Sequence, residues 1–221
     1  KANDPNLQMY FDGFVDLSKK SNIYNFQINV ENANLKKLNF VKDNISKFEG
    51  DINVDLSGNT IDNLVGDVFV KHATYHNTKA TYSIDEFYIN SAFDQNRVRT
   101  ITVNSGDIVD GVVVGKFYFN QLQKLVTNSL GSLYENYKPI KVNKGQFLKF
   151  DFTIHNKIIE IFYPEVSIAT NTVVKGTINS DNQEFKLNFN SPKITASDNT
   201  FDNIRVKVDN KNPLYNAFIE L

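Results

Sequence analysis

From Tyr24 to Glu31 the chain alternates without a break: Tyr24, Phe26, Ile28 and Val30 fall on one phase, Asn25, Gln27, Asn29 and Glu31 on the other. Successive side chains of a strand point to opposite faces, so this stretch makes one apolar face and one polar face. The pattern returns down the chain. Ile52, Val54 and Leu56 alternate with Asp51, Asn53, Asp55 and Ser57, and Leu148, Phe150, Phe152 and Ile154 with Lys149, Asp151, Thr153 and His155. Phe185, Leu187 and Phe189 alternate with Lys186, Asn188 and Asn190, and Ile204, Val206 and Val208 with Arg205, Lys207 and Asp209. Less regular strands are expected over 11–17, 66–75, 81–90, 98–104, 111–119, 158–163, 166–170, 173–179 and 215–221. Polar turns separate them, among them Ser57-Gly58-Asn59, Ser180-Asp181-Asn182 and Ser197-Asp198-Asn199. Short strands joined by tight turns predict an all-β fold, an antiparallel meander.

One segment departs from the period of two. Over 120–138, Leu122, Leu125, Val126, Leu130, Leu133, Tyr134 and Tyr137 recur at steps of three and four, the stripe of an amphipathic helix. Asn120 is the expected N-cap and Pro139 the expected stop. Gly131 inside such a helix costs about 1 kcal/mol relative to alanine, which points to close packing at that position.

A single helix is too little to cover so many apolar faces. The sheet must fold on itself, sit in lipid, or keep an apolar trough for something else. The expected lining of that trough is the apolar phase: Tyr24, Phe26, Ile28, Val30, Ile52, Val54, Leu56, Leu148, Phe150, Phe152, Ile154, Phe185, Leu187, Phe189, Ile204, Val206 and Val208. The helix is the expected lid or plug, with Leu122, Leu125, Val126, Leu130, Leu133 and Tyr134 as its apolar residues.

Other chemistry is thin. The net charge is −1, with 24 basic and 25 acidic residues mixed along the chain, so no nucleic-acid footprint stands out. No apolar run approaches the roughly 18 residues of a membrane-spanning helix. Cysteine is absent, which removes disulfides and thiolate metal sites. His72 and His76 are four residues apart, a spacing that on a strand separates them by roughly 13 Å and rules out sharing one ion. Asp85 and Glu86 would face opposite sides of a strand, and neither a G-x-S-x-G elbow nor a phosphate loop occurs. The expectation is a protein that is not an enzyme and uses no cofactor and no metal. Both ends read as cut: Lys1 is not an initiator Met, and Tyr215 to Leu221 reads as a strand just under way. The 221 residues are therefore expected to be one continuous β segment from the interior of a longer polypeptide.

Three stretches, in order, carry a resemblance. They are Gly66-Asp67-Val68-Phe69-Val70 through Ser83-Ile84-Asp85-Glu86-Phe87-Tyr88-Ile89, then Ile101-Thr102-Val103-Asn104-Ser105-Gly106-Asp107-Ile108-Val109-Asp110-Gly111, then Lys124-Leu125-Val126-Thr127-Asn128-Ser129-Leu130-Gly131-Ser132-Leu133-Tyr134. Together they resemble an interior segment of the Bacteroidetes branch of TamB-like translocation/assembly module proteins, within the AsmA-like superfamily. The resemblance implies a β-taco, a curled sheet groove with an apolar concave face, in a periplasmic segment of an inner-membrane-anchored, envelope-spanning protein. It further implies a role in phospholipid movement between inner and outer membrane and in outer-membrane protein assembly. The implied partners are phospholipid acyl chains and, outside this segment, a TamA-type outer-membrane barrel. Two alternatives remain open: a β-augmentation scaffold for outer-membrane barrel biogenesis, and a plain secreted β-sandwich binding module.

Overall fold

The structure is a computed structural model that describes residues 1–41, 46–163, 165–197, 199–212, 214 and 216–220. The described residues are all-β and antiparallel with two α-helices, and they divide into two compact units. Unit one holds Lys1–Ser91 and Val103–Ile108; unit two holds Ala92–Thr102 and Val109–Leu221. The alternation of residues gives no sign of this division. Asp198, Tyr215 and Leu221, placed above in a turn and in a final strand, lie outside the described residues.

In unit one, β1 (Ala2–Asp4), β2 (Leu7–Asp16), β3 (Ile23–Asn34), β4 (Ser46–Ser57), β5 (Val65–Asn77) and β6 (Thr81–Phe93, to Ser91 in this unit) pair consecutively, each antiparallel to the next. The registers bring one phase of each strand together. Phe26 lies opposite Val54, Ile28 opposite Phe11 and Ile52, and Ile52 in turn opposite Val70, which meets Phe87. Directly opposed residues share a face, so the apolar phases add up to one continuous apolar surface across β2 to β6. Two bulges adjust the phase. One lies between Val30 and Ala33; the other is in β5 at His72, whose φ is 47°. The extra residue in β5 keeps Tyr75, opposite Phe48, on the same face as Val70.

β7 (Arg99–Asn104) is divided between the two units. Unit two contains β8 (Val109–Lys116), α1 (Leu122–Gly131), β9 (Phe147–Ile154), α2 (Asn156–Phe162), β10 (Val166–Ile168), β11 (Thr172–Asn179), β12 (Glu184–Ala196), β13 (Asn199–Asp209) and β14 (Ala217–Glu220). Its strand order is β8-β9-β11-β12-β13-β14, and β10 pairs with the second half of β12. Registers again align the apolar phase: Val113 opposite Phe150, Phe152 opposite Val174, Val174 opposite Phe189, Phe189 opposite Val206. Gly176 lies opposite both Phe150 and Leu187, and the Phe150 ring occupies the space above its missing side chain.

The helix is shorter than the 120–138 expected. A 3-10 turn, Phe119–Gln121, precedes α1, and Gln121, not Asn120, stands at the N-cap. The Gln121 side chain caps nothing, because its Oε1 accepts from Gln146 Nε2 (2.9 Å) and the Asn143 amide (2.8 Å). Gln146 is buried; its side-chain bond to Gln121 ties the start of α1 to the start of β9, while its backbone pairs with Ser180 just after β11. At the other end the chain folds back, and the Tyr137 ring packs where a side chain at Gly131 would stand. The Tyr137 hydroxyl then donates to Asn128 Oδ1 at 2.9 Å. Tyr137 therefore belongs to a returning turn and not to the helical stripe, and Gly131 is the close contact its sequence position suggested.

A second departure is α2. Residues 158–163 read as a strand and form a helix with its end, because Asn156 fixes the turn from both sides. Its Nδ2 donates to Glu160 and its Oδ1 accepts from the Ile168 amide at 2.8 Å. Ile158, Ile159 and Phe162 then share one helical face.

Candidate functional site

The candidate site is the apolar face of the sheet, taken unit by unit. In unit one, Tyr24, Phe26, Ile28, Val30, Ile52, Val54 and Leu56 lie together on it, as their phase requires. Met9, Phe11 and Val15 from β2, Val68 and Val70 from β5, and Phe87 and Ile89 from β6 extend it. No helix is present among the described residues of this unit. Most of these side chains are half-buried, Val30 is buried at 7% exposure, and Phe11 at the rim is 41% exposed.

The opposite face is mainly polar, although Tyr10, Phe14 and Phe69 also lie on it, and it is laced by side-chain bonds. Asn29 Nδ2 donates to Asp51 at 2.7 Å, and His72 Nδ1 lies 3.3 Å from the same carboxylate. Asp67 accepts from the Tyr88 hydroxyl and from Asn90 Nδ2, and Lys71 pairs with Glu86 at 3.5 Å. The Tyr88 and Asn90 hydrogen bonds hold the Asp67 carboxyl below the usual carboxylate range, and the Asn29 bond, followed by that of His72, does the same for Asp51. The bond to Asp67 pushes the Tyr88 phenol up. His76 has a different partner, the Thr81 hydroxyl at 2.7 Å, so the two histidines of the i, i+4 pair serve separate contacts.

In unit two the expected lining residues share one face but meet different fates. Leu148, Phe185 and Val208 form a closed core with Leu125 of α1 and Ile178. Phe150, Leu187 and Val206 are only partly buried and pack against the edge of that core.

The core under α1 narrows the lining. While the helix is in place, Leu148, Phe185 and Val208 are packed and cannot border a trough. Leu122 and Leu133 pack against the same core, whereas Val126, Leu130 and Tyr134 are 46%, 49% and 74% exposed and turn away from it. The helix and the turn after it therefore cover one end of the face with half of the expected stripe. Ile204 is buried further along β13, beside the buried hydroxyl pair of Thr172 and Ser191 at 2.8 Å.

At the end of the face away from that core, β8, β9 and α2 enclose an open cavity of about 310 Å³. It is lined by Val109, Phe152, Ile154, Ile158, Ile159, Phe162 and Tyr163. Phe152 and Ile154 belong to the expected lining; the α2 residues do not, because their β-branched run reads as a strand. Asp110 on β8 and His155, just before α2, meet at 3.0 Å beside the cavity. The signal for α2 is the Asn156/Glu160 spacing together with Ile158, Ile159 and Phe162 on one helical face. The polar face of this unit is closed by ion pairs, Lys175 with Asp151 at 2.9 Å and Lys186 with Glu184 at 3.1 Å.

No family model, characterised protein or solved structure matches the sequence.

Proposed function

We propose that this chain is a segment of a cell-envelope protein that carries phospholipid acyl chains along its apolar sheet faces between inner and outer membrane. On this reading it is a TamB-like periplasmic segment, and a TamA-type barrel is a partner outside it. The observation that carries the reading is the cavity at α2, whose walls are hydrocarbon and aromatic and whose volume is about 310 Å³. That size stands at the lower end of the roughly 300–1,000 Å³ typical of ligand clefts, so it suits part of one chain and not a whole lipid. Exposing an acyl chain to water costs about 0.8 kcal/mol per methylene, or roughly 12 kcal/mol for 16 carbons. An apolar face offsets that cost without a directional bond, which leaves the chain free to slide.

A fatty acid with a diazirine near its methyl end tests this by mapping photo-adducts. Adducts are expected on Phe152, Ile158, Ile159 and Phe162 and on the apolar phase of β3 and β4. Adducts spread equally over polar-phase residues such as Asn25 and Asp151 would contradict it.

A further inference from the structure

A second cavity, of about 340 Å³, lies beside the C-terminal end of α1 in unit two and plays no part in the acyl-chain reading. Leu125, Val142 and Ile178 give it an apolar floor. Two asparagines fix its walls. Asn128 accepts from the Tyr137 hydroxyl at 2.9 Å and the Ile140 amide at 2.8 Å and donates to the Ile140 carbonyl at 2.8 Å. Asn210 donates to the Ser132 hydroxyl at 2.8 Å and the Gln183 carbonyl at 2.6 Å, and accepts from the Phe185 amide at 2.9 Å. These bonds occupy both amides, so the cavity is preformed and these two side chains have little left for a ligand.

The charged groups lining it are Glu135, in the turn after α1, and Lys211, in the turn after β13. Neither makes an ion pair among the described residues. A free carboxylate and a free ammonium on one cavity with an apolar floor complement a ligand carrying both charges. We infer that this cavity binds a zwitterion with a short apolar body, its ammonium against Glu135 and its anionic group against Lys211. The zwitterion is either the head of a phospholipid or a free soluble molecule of the same chemistry.

Calorimetry and amide NMR on the whole chain separate these sources with three probes: monomeric dihexanoyl phosphatidylethanolamine, dihexanoyl phosphatidylglycerol and glycerophosphoethanolamine. The ethanolamine lipid is expected to bind about tenfold more tightly than the glycerol lipid, with shifts at Ser132, Ile140 and Asn210. Glu135→Gln should remove that preference, and Lys211→Gln should weaken both lipids together. Binding of glycerophosphoethanolamine as tight as the lipid assigns a soluble zwitterion; binding of the lipid alone assigns a headgroup. Equal affinity for the two lipids, or a preference that survives Glu135→Gln, would overturn the inference. Both side chains are exposed, so the variants keep the fold. Loss of acyl adducts at Phe152 would leave this site standing.

Discussion

Phe152→Asp is expected to lower acyl-chain labelling at the α2 cavity at least tenfold. The Phe152 ring fills the space above Gly111, stacks 6.5 Å from Phe150 and forms part of the cavity wall. A carboxylate there must keep its water, so it draws water into a wall that is otherwise apolar. Keeping two methylenes out of the cavity loses about 1.6 kcal/mol, more than a factor of ten in occupancy. Phe152→Leu keeps an apolar wall and should label almost as the unaltered chain does. Equal labelling of Phe152→Asp and Phe152→Leu would remove this cavity from the account.

Leu125→Ala is expected to cost about 2–5 kcal/mol of stability. Leu125 is 2% exposed and is the residue by which α1 enters the core of Leu148, Ile178, Phe185 and Val208. A ten-residue helix without a side-chain N-cap is marginal alone, so this contact, with its neighbours, holds it on the sheet. Val126→Ala, at a position 46% exposed, should change stability by less than about 0.5 kcal/mol. Denaturant unfolding of the two variants reads the contrast; equal effects would mean α1 does not anchor through this core.

The strands with strict alternation are legible in the sequence because burial on one face only demands it. β3, β4, β9, β12 and β13 each stand where their phase places them, and cross-strand register joins their apolar residues. Where a bulge intervenes, as at His72, the alternation breaks in the sequence although the face continues in space. The helices are less legible. Asn156 makes α2 by hydrogen bonds to Glu160 and to Ile168, a contact twelve residues away that no local pattern reports. The early end of α1 depends on Tyr137 returning to Gly131, which is also a contact formed only on folding. The lining changes on both counts, gaining α2 and losing the residues closed under α1.

On the acyl-chain reading, the apolar sheet faces outside the α1 core receive hydrocarbon. Methyl NMR of the whole chain with a spin-labelled fatty acid tests it most directly. Line broadening is expected at Ile28, Ile52, Ile154 and Ile158, with Leu148 and Val208, buried in the core under α1, unaffected. Broadening that is absent, or as strong under α1 as on the open faces, would contradict it.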